Sequence, residues 1–165
     1  MFTSIRSIVF SFFFISALSA AELGLGDDAP EFFLRDQEGY IHSLNQHRGK
    51  YVLLFFYPRD FIPFSISEVL AFERSYQALK QKNVVIYGVS NDDLTRHQKF
   101  HEKFKLTYDL LSDPNEEIIK AYEARNFLGR KFVSYLISPD GRIFRKYSGP
   151  SPVKHPTLAL ADIPS

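Results

Sequence analysis

The chain has 165 residues, with 20 Lys and Arg against 19 Asp and Glu, 45% hydrophobic residues, 17 Phe, 9 Tyr and neither Cys nor Trp. That length fits one domain around one core, the aromatic content excludes a disordered chain, and the balanced charge offers no basic field for nucleic acid. The lack of cysteine removes disulfides, thiolate nucleophiles, cysteine-ligated zinc and iron–sulfur clusters together.

Residues 1–21 read MFTSIRSIVFSFFFISALSAA: one charge, Arg6, then an apolar run from Ile8 to Leu18, then Ser19, Ala20 and Ala21. This is the pattern of a signal peptide. The run would rise only about 16 Å as a helix, short of a bilayer core of about 30 Å, so no permanent membrane span is expected after cleavage. Cleavage after Ser19 and after Ala21 are both permitted. The expected protein is periplasmic or secreted, with 19 basic residues against 19 acidic ones once Arg6 is removed.

From Glu22 onward strand-like and helix-like patterns alternate, predicting one α/β domain over 22–149. Glu31 to Leu34 and Tyr40 to Ser43 flank Asp36-Gln37-Glu38-Gly39 and predict a hairpin. The uninterrupted apolar run Tyr51 to Tyr57 predicts a strand covered on both faces. Helical spacing of Val69, Phe72, Tyr76 and Leu79 predicts an amphipathic helix over Phe64 to Lys80, with Ser65 in its first turn. Val84 to Val89 predicts a second buried strand, followed by a helix from Leu94 to Phe104. Asp113-Pro114-Asn115-Glu116 reads as a helix start, with Asp at N-cap and Pro at N1. Val133 to Ile137 and Arg142 to Tyr147, joined through Asp140-Gly141, predict a closing hairpin. Four prolines in 150–165 predict an irregular tail without a final helix.

This order of elements is that of a thioredoxin-like fold, a mixed central sheet flanked by helices, with an N-terminal extension. The segments Gly26-Asp27-Asp28-Ala29-Pro30-Glu31-Phe32, Arg48-Gly49-Lys50, Phe56-Tyr57-Pro58-Arg59-Asp60, Tyr87-Gly88-Val89-Ser90, Leu110-Leu111-Ser112-Asp113 and Ser138-Pro139-Asp140-Gly141 carry the reading further. Together they resemble the peroxiredoxins, and within them the bacterioferritin comigratory protein, or peroxiredoxin Q, branch. The resemblance implies a thioredoxin-dependent reduction of hydrogen peroxide and organic hydroperoxides without a cofactor. It also implies a motif Pro-x-x-x-Thr-x-x-Cys at a helix start, with an Arg on a later strand. A helix N-terminus and an Arg lower a thiol's pKa so that the thiolate attacks peroxide.

Here that motif reads Pro58-Arg59-Asp60-Phe61-Ile62-Pro63-Phe64-Ser65. The resemblance sets Ser65 at the peroxidatic Cys, Ile62 at the Thr, Leu70 at the resolving Cys and Phe132 at the Arg, although a shift of one residue would place Lys131 there. Only Pro58 keeps the family's residue. A serine hydroxyl cannot cycle through a sulfenic acid, so thiol peroxidase activity is expected to be lost. Binding or a structural role is expected in its place, through a protein or apolar ligand at a pocket mouth made apolar by Phe61, Ile62 and Phe64.

Other readings have less behind them. Ser65 lacks a Gly-x-Ser-x-Gly elbow and an assignable His–Asp partner, so it reads as a helix-capping serine rather than a hydrolase nucleophile. His97 and His101 have metal-ligand spacing, but the residues between them lack a general base. They read as a solvated helix face, and no metal is assigned. His42, His47 and His155 read as isolated. Asp60 and Glu68 flank the helix start, where a carboxylate acid/base pair is a minor alternative.

Overall fold

A computed structural model describes residues 22–126 and 129–164. The expected signal peptide lies outside the described residues.

A seven-stranded mixed sheet forms the centre, in the order β2-β1-β5-β4-β3-β8-β9. Its strands are β1 (Phe33–Asp36), β2 (Ile41–Ser43), β3 (Tyr51–Phe56), β4 (Val84–Ser90), β5 (Asp109–Ser112), β8 (Val133–Ile137) and β9 (Ile143–Ser148). A short ribbon, β6 (Arg125–Asn126) and β7 (Gly129–Arg130), stands apart. The helices are α1 (Pro63–Gln81), α2 (Leu94–Phe104), α3 (Glu117–Ala121) and α4 (His155–Asp162). β3 runs parallel to β4, and β4 to β5, while the outer pairings are antiparallel.

The apolar run of β3 is uninterrupted because both faces of that strand are covered. Val52, Leu54 and Phe56 join one core layer with Tyr87, Tyr122 and Tyr135. Leu53, Phe55 and Tyr57 join the other with Val69, Phe72 and Leu79 of α1. The rings of Phe55 and Phe72 stack at 3.9 Å, and truncating such a buried Phe to Ala costs about 3–5 kcal/mol. Gly88 on β4 admits that packing: a Cβ there would come within 2.6 Å of the Phe55 ring and 2.9 Å of Leu110 Cδ2.

Three predicted elements differ. The hairpin strand starts at Phe33, because Glu31 turns its carboxylate to the Leu44 N–H at 2.6 Å instead of joining the ladder. The helix expected directly after Asp113 begins at Glu117, because Glu116 takes a left-handed φ of 57°. Asp113 still caps it, accepting from the N–H groups of Glu117 and Ile119 at 3.1 and 2.8 Å. The C-terminal segment is helical. Pro152 opens a 3-10 turn and Pro156 lies in the first turn of α4, where a missing N–H leaves no intrahelical bond unmade. Ala159 and Ile163 are buried in the α1-side layer.

Candidate functional site

The site is built around the first turns of α1. Ile62 is the N-cap residue and makes no side-chain cap, Pro63 is N1, and Ser65 stands in the first turn. The buried residues of α1 are Ser65, Glu68, Val69, Ala71, Phe72 and Leu79, and the helical spacing of Ser65, Glu68, Val69, Phe72 and Leu79 makes them one stripe aimed at the sheet. The apolar half of the stripe was readable in advance; its polar half was not. Ser65 and Glu68 are both 0% exposed, and among the described residues neither the Ser65 hydroxyl nor either Glu68 oxygen has a hydrogen-bond partner. Ser65 therefore does not cap the helix as expected.

Across from α1, side chains of β8 alternate. Val133, Tyr135 and Ile137 enter the far layer, while Leu136 enters the α1-side layer and Phe132 packs against it. Ser134, on that same face, is fully buried and its Oγ is 2.9 Å from Nδ1 of His155 at the start of α4. Lys131 is exposed. That His155 nitrogen lies 3.9 Å from Glu68 Oε1, beyond hydrogen-bond reach. Burial pushes Glu68 well above the usual carboxylate range and lowers His155 to about 4. Burial thus drives both members of the pair toward their uncharged forms. His155, read as isolated in the sequence, belongs to this polar cluster, and Leu70 is half-buried on α1.

The loop before α1 is held by a second network. Tyr57 donates its hydroxyl to Asp60 Oδ1 at 2.8 Å, and His97 Nδ1 meets Asp60 Oδ2 at 2.8 Å. Asp60 donates its N–H to Asp92 Oδ2 at 2.8 Å, which also accepts from the Ser90 hydroxyl at 2.6 Å. Arg96 donates to the Asp60 carbonyl at 2.8 Å and pairs with Asp92 Oδ1 at 2.8 Å without hydrogen-bond alignment. Burial, then the Asp60 charge, raises the Tyr57 phenol. His97 is 0% exposed, which corrects the expected solvated face: α2 turns His97 into the core and leaves His101 half-exposed. The acidic and imidazole atoms of Asp60, Asp92 and His97 lie within 4.8 Å of one another, but all three are buried and bonded to one another and to the loop, so this cluster, closed to solvent, holds the loop together. Asp60 is held by Tyr57 and His97, whereas Glu68 faces His155 without a hydrogen bond, so the two carboxyls have different neighbours.

The loop itself is strained at Phe61, whose φ of 63° is unusual for an aromatic residue. Its ring meets Phe100 edge-on at 5.0 Å and lies under the Arg96 guanidinium at 5.1 Å. Pro58 and Ile62 are half-buried, and Phe64 is 75% exposed.

A mixed sheet of this order, with a long helix following the central strand, defines a thioredoxin-like protein, and the candidate site lies at the start of that helix. Residues 25–146 match the AhpC/TSA family, and the chain belongs to that family. It is 30% identical over 131 residues to "Peroxiredoxin Bcp" of Bacillus subtilis, covering 74% of this chain and 83% of that protein. It is 33% identical over 141 residues to "Peroxiredoxin Q, chloroplastic" of Suaeda salsa, covering 82% of this chain and 65% of that one. Against the corresponding rice protein the match spans 45% of the relative's length. Among solved structures, BcpB of Mycobacterium tuberculosis superposes with a TM-score of 0.78 at 27% identity, covering 84% of this chain and 95% of that one. The bacterioferritin comigratory protein of Xanthomonas campestris does so with a TM-score of 0.76 at 25% identity, covering 80% and 89%. These neighbours bear out the fold and the branch expected from the sequence.

Proposed function

We propose that this chain is an exported peroxiredoxin-like protein that has lost thiol peroxidase chemistry and acts by binding or by a structural role. One observation carries the reading: the sequence contains no cysteine. Peroxide reduction of the family type needs a sulfur that attacks the O–O bond, becomes a sulfenic acid and is reduced again. A thiol ionises at about 8.5, but a serine hydroxyl stays protonated at neutral pH, and Ser65 is moreover sealed from solvent. Among the described residues no His–acid pair hydrogen-bonds its hydroxyl, so a hydrolytic role finds no base there.

Two features support the remainder. Phe64 at the start of α1, and Val153 and Leu158 in the segment packed on α1, leave large apolar side chains exposed, the kind of surface a protein or apolar ligand covers. The pattern of residues 1–21 supports export, to a compartment where reducing thiols are scarce. No helix among the described residues is long and apolar enough to cross a membrane. Expression in a Gram-negative host tests both halves. The reading expects envelope-fraction protein beginning at Ala20 or Glu22 and no peroxide consumption above a buffer blank with a thiol reductant. Uncleaved cytosolic protein overturns the export half, and turnover overturns the loss of chemistry.

A further inference from the structure

The geometry points to a divalent transition-metal site of the zinc class formed by Asp36, His42 and Asp109, with Tyr87 and His47 supporting it from behind. The site is independent of the chemistry at Ser65. It lies on four adjacent strands, β2, β1, β5 and β4, and Asp109 opens β5 at the strand end opposite the one from which the 58–62 loop leaves β3.

Each carboxylate uses one oxygen to hold itself in place and turns the other toward His42. Asp36 Oδ1 accepts from the N–H groups of Glu38 and Tyr40 at 2.8 and 3.0 Å, while its Oδ2 lies 2.7 Å from His42 Nε2. Asp109 Oδ1 accepts from Gln37 Nε2 at 2.9 Å, while its Oδ2 lies 4.0 Å from the same imidazole nitrogen. One atom from each of the three residues thus falls within 4.8 Å of the others. Metal–ligand bonds of about 2.0–2.2 Å in a tetrahedral site set ligand atoms ~3.4 Å apart. Shifts of under about 1 Å therefore bring all three onto one ion, with the fourth position open to water.

The imidazole is backed as metal-binding histidines are. Its Nδ1 is 2.8 Å from the Tyr87 hydroxyl, which is 2.7 Å from His47 Nε2. With a cation on Nε2, the His42 Nδ1–H donates to Tyr87 and the Tyr87 hydroxyl donates to His47, with the Gln46 side-chain amide alongside, its Nε2 3.3 Å from His42 Nδ1 and 3.1 Å from His47 Nε2. Entry is open, because the side chains of Asp109 and His42 are 38% and 17% exposed. An imidazole with two carboxylates favours zinc-class ions over magnesium or calcium, which take oxygen sets.

Calorimetric titration of zinc into the chelator-treated chain, with the visible spectrum of cobalt as a second readout, tests the site. One equivalent of zinc is expected to bind, with a tetrahedral cobalt band. His42→Gln and Asp109→Asn should each weaken binding by at least about tenfold, and Tyr87→Phe by about tenfold through loss of orientation. Asp109 is half-exposed, so its variant keeps the fold, as the metal-free melting curve would confirm. Absence of saturable uptake, or uptake unchanged in both ligand variants, overturns the assignment.

Discussion

Glu68 and His155, contributed by α1 and α4, face each other 3.9 Å apart in the core, and each is driven by burial toward its uncharged form. Their effects on stability run in opposite directions. The Glu68 carboxyl ionises near its ordinary 4.5 when unfolded and well above that when folded. Stability is therefore lost as pH climbs from 4.5 through the raised folded value. His155 titrates near 6.5 unfolded and about 4 folded, so it withdraws stability as pH falls through that interval. The two slopes oppose each other where these intervals overlap, from about pH 4.5 upward. Glu68→Gln removes the first, so the variant should be more stable than the parent at pH 7–8 and lose stability more steeply between pH 6.5 and 4. Urea midpoints across this range check it, and parallel profiles for the two proteins would contradict it.

Asp60 and His97 should be more sensitive to truncation than any exposed pair. Both are fully buried and each holds the other, with Tyr57 and the Leu111 carbonyl completing the set. Removing one member of such a pair leaves the other unmatched, at about 3–5 kcal/mol. His97→Ala should lower the denaturant midpoint accordingly, whereas His101→Ala, on the half-exposed side of the same helix, should change it by less than about 0.5 kcal/mol.

At Gly88 the expected effect is steric. The Cβ of Gly88→Ala would meet the Phe55 ring at 2.6 Å and Leu110 at 2.9 Å, and overpacking of this kind destabilises by about 1–3 kcal/mol. Phe55→Leu in the same chain should recover part of that loss, which equilibrium unfolding of the double variant measures.

Restoring sulfur at a single position should not restore reactivity. A cysteine in Ser65→Cys would be sealed beside the Glu68 carboxyl at a position where, among the described residues, no donor reaches the native hydroxyl, so iodoacetamide should alkylate it more slowly than a free thiol at pH 7. Combining it with Ile62→Thr and Phe132→Arg should speed alkylation over the single variant, because Phe132 packs on the face that α1 covers. Mass spectrometry of alkylated protein over time distinguishes the two.

What the residues revealed in advance followed hydrophobic periodicity and turn chemistry. The run Tyr51 to Tyr57, the spacing along α1 and the Asp140-Gly141 turn each report local structure through local pattern, and the bounds of α2 match the expected Leu94 to Phe104. Long-range polar pairings leave no such trace. Nothing near His97 signals Asp60, 37 positions away, and His42 and His47 look isolated until β4 brings Tyr87 between them. The final helix was hidden because Pro152 and Pro156 look like breakers, whereas their positions at helix starts make them compatible with helix. At the site, residue identity told most: the missing sulfur is plain in the composition, but the orphaned Glu68 and the His155 that faces it required the fold.

The claim that chemistry has been lost from this frame is tested most directly by following hydrogen peroxide in the presence of the purified mature chain and a thioredoxin or dithiothreitol reductant. Peroxide should disappear no faster than in the same mixture without protein. Saturable, repeated turnover that scales with protein concentration would contradict it.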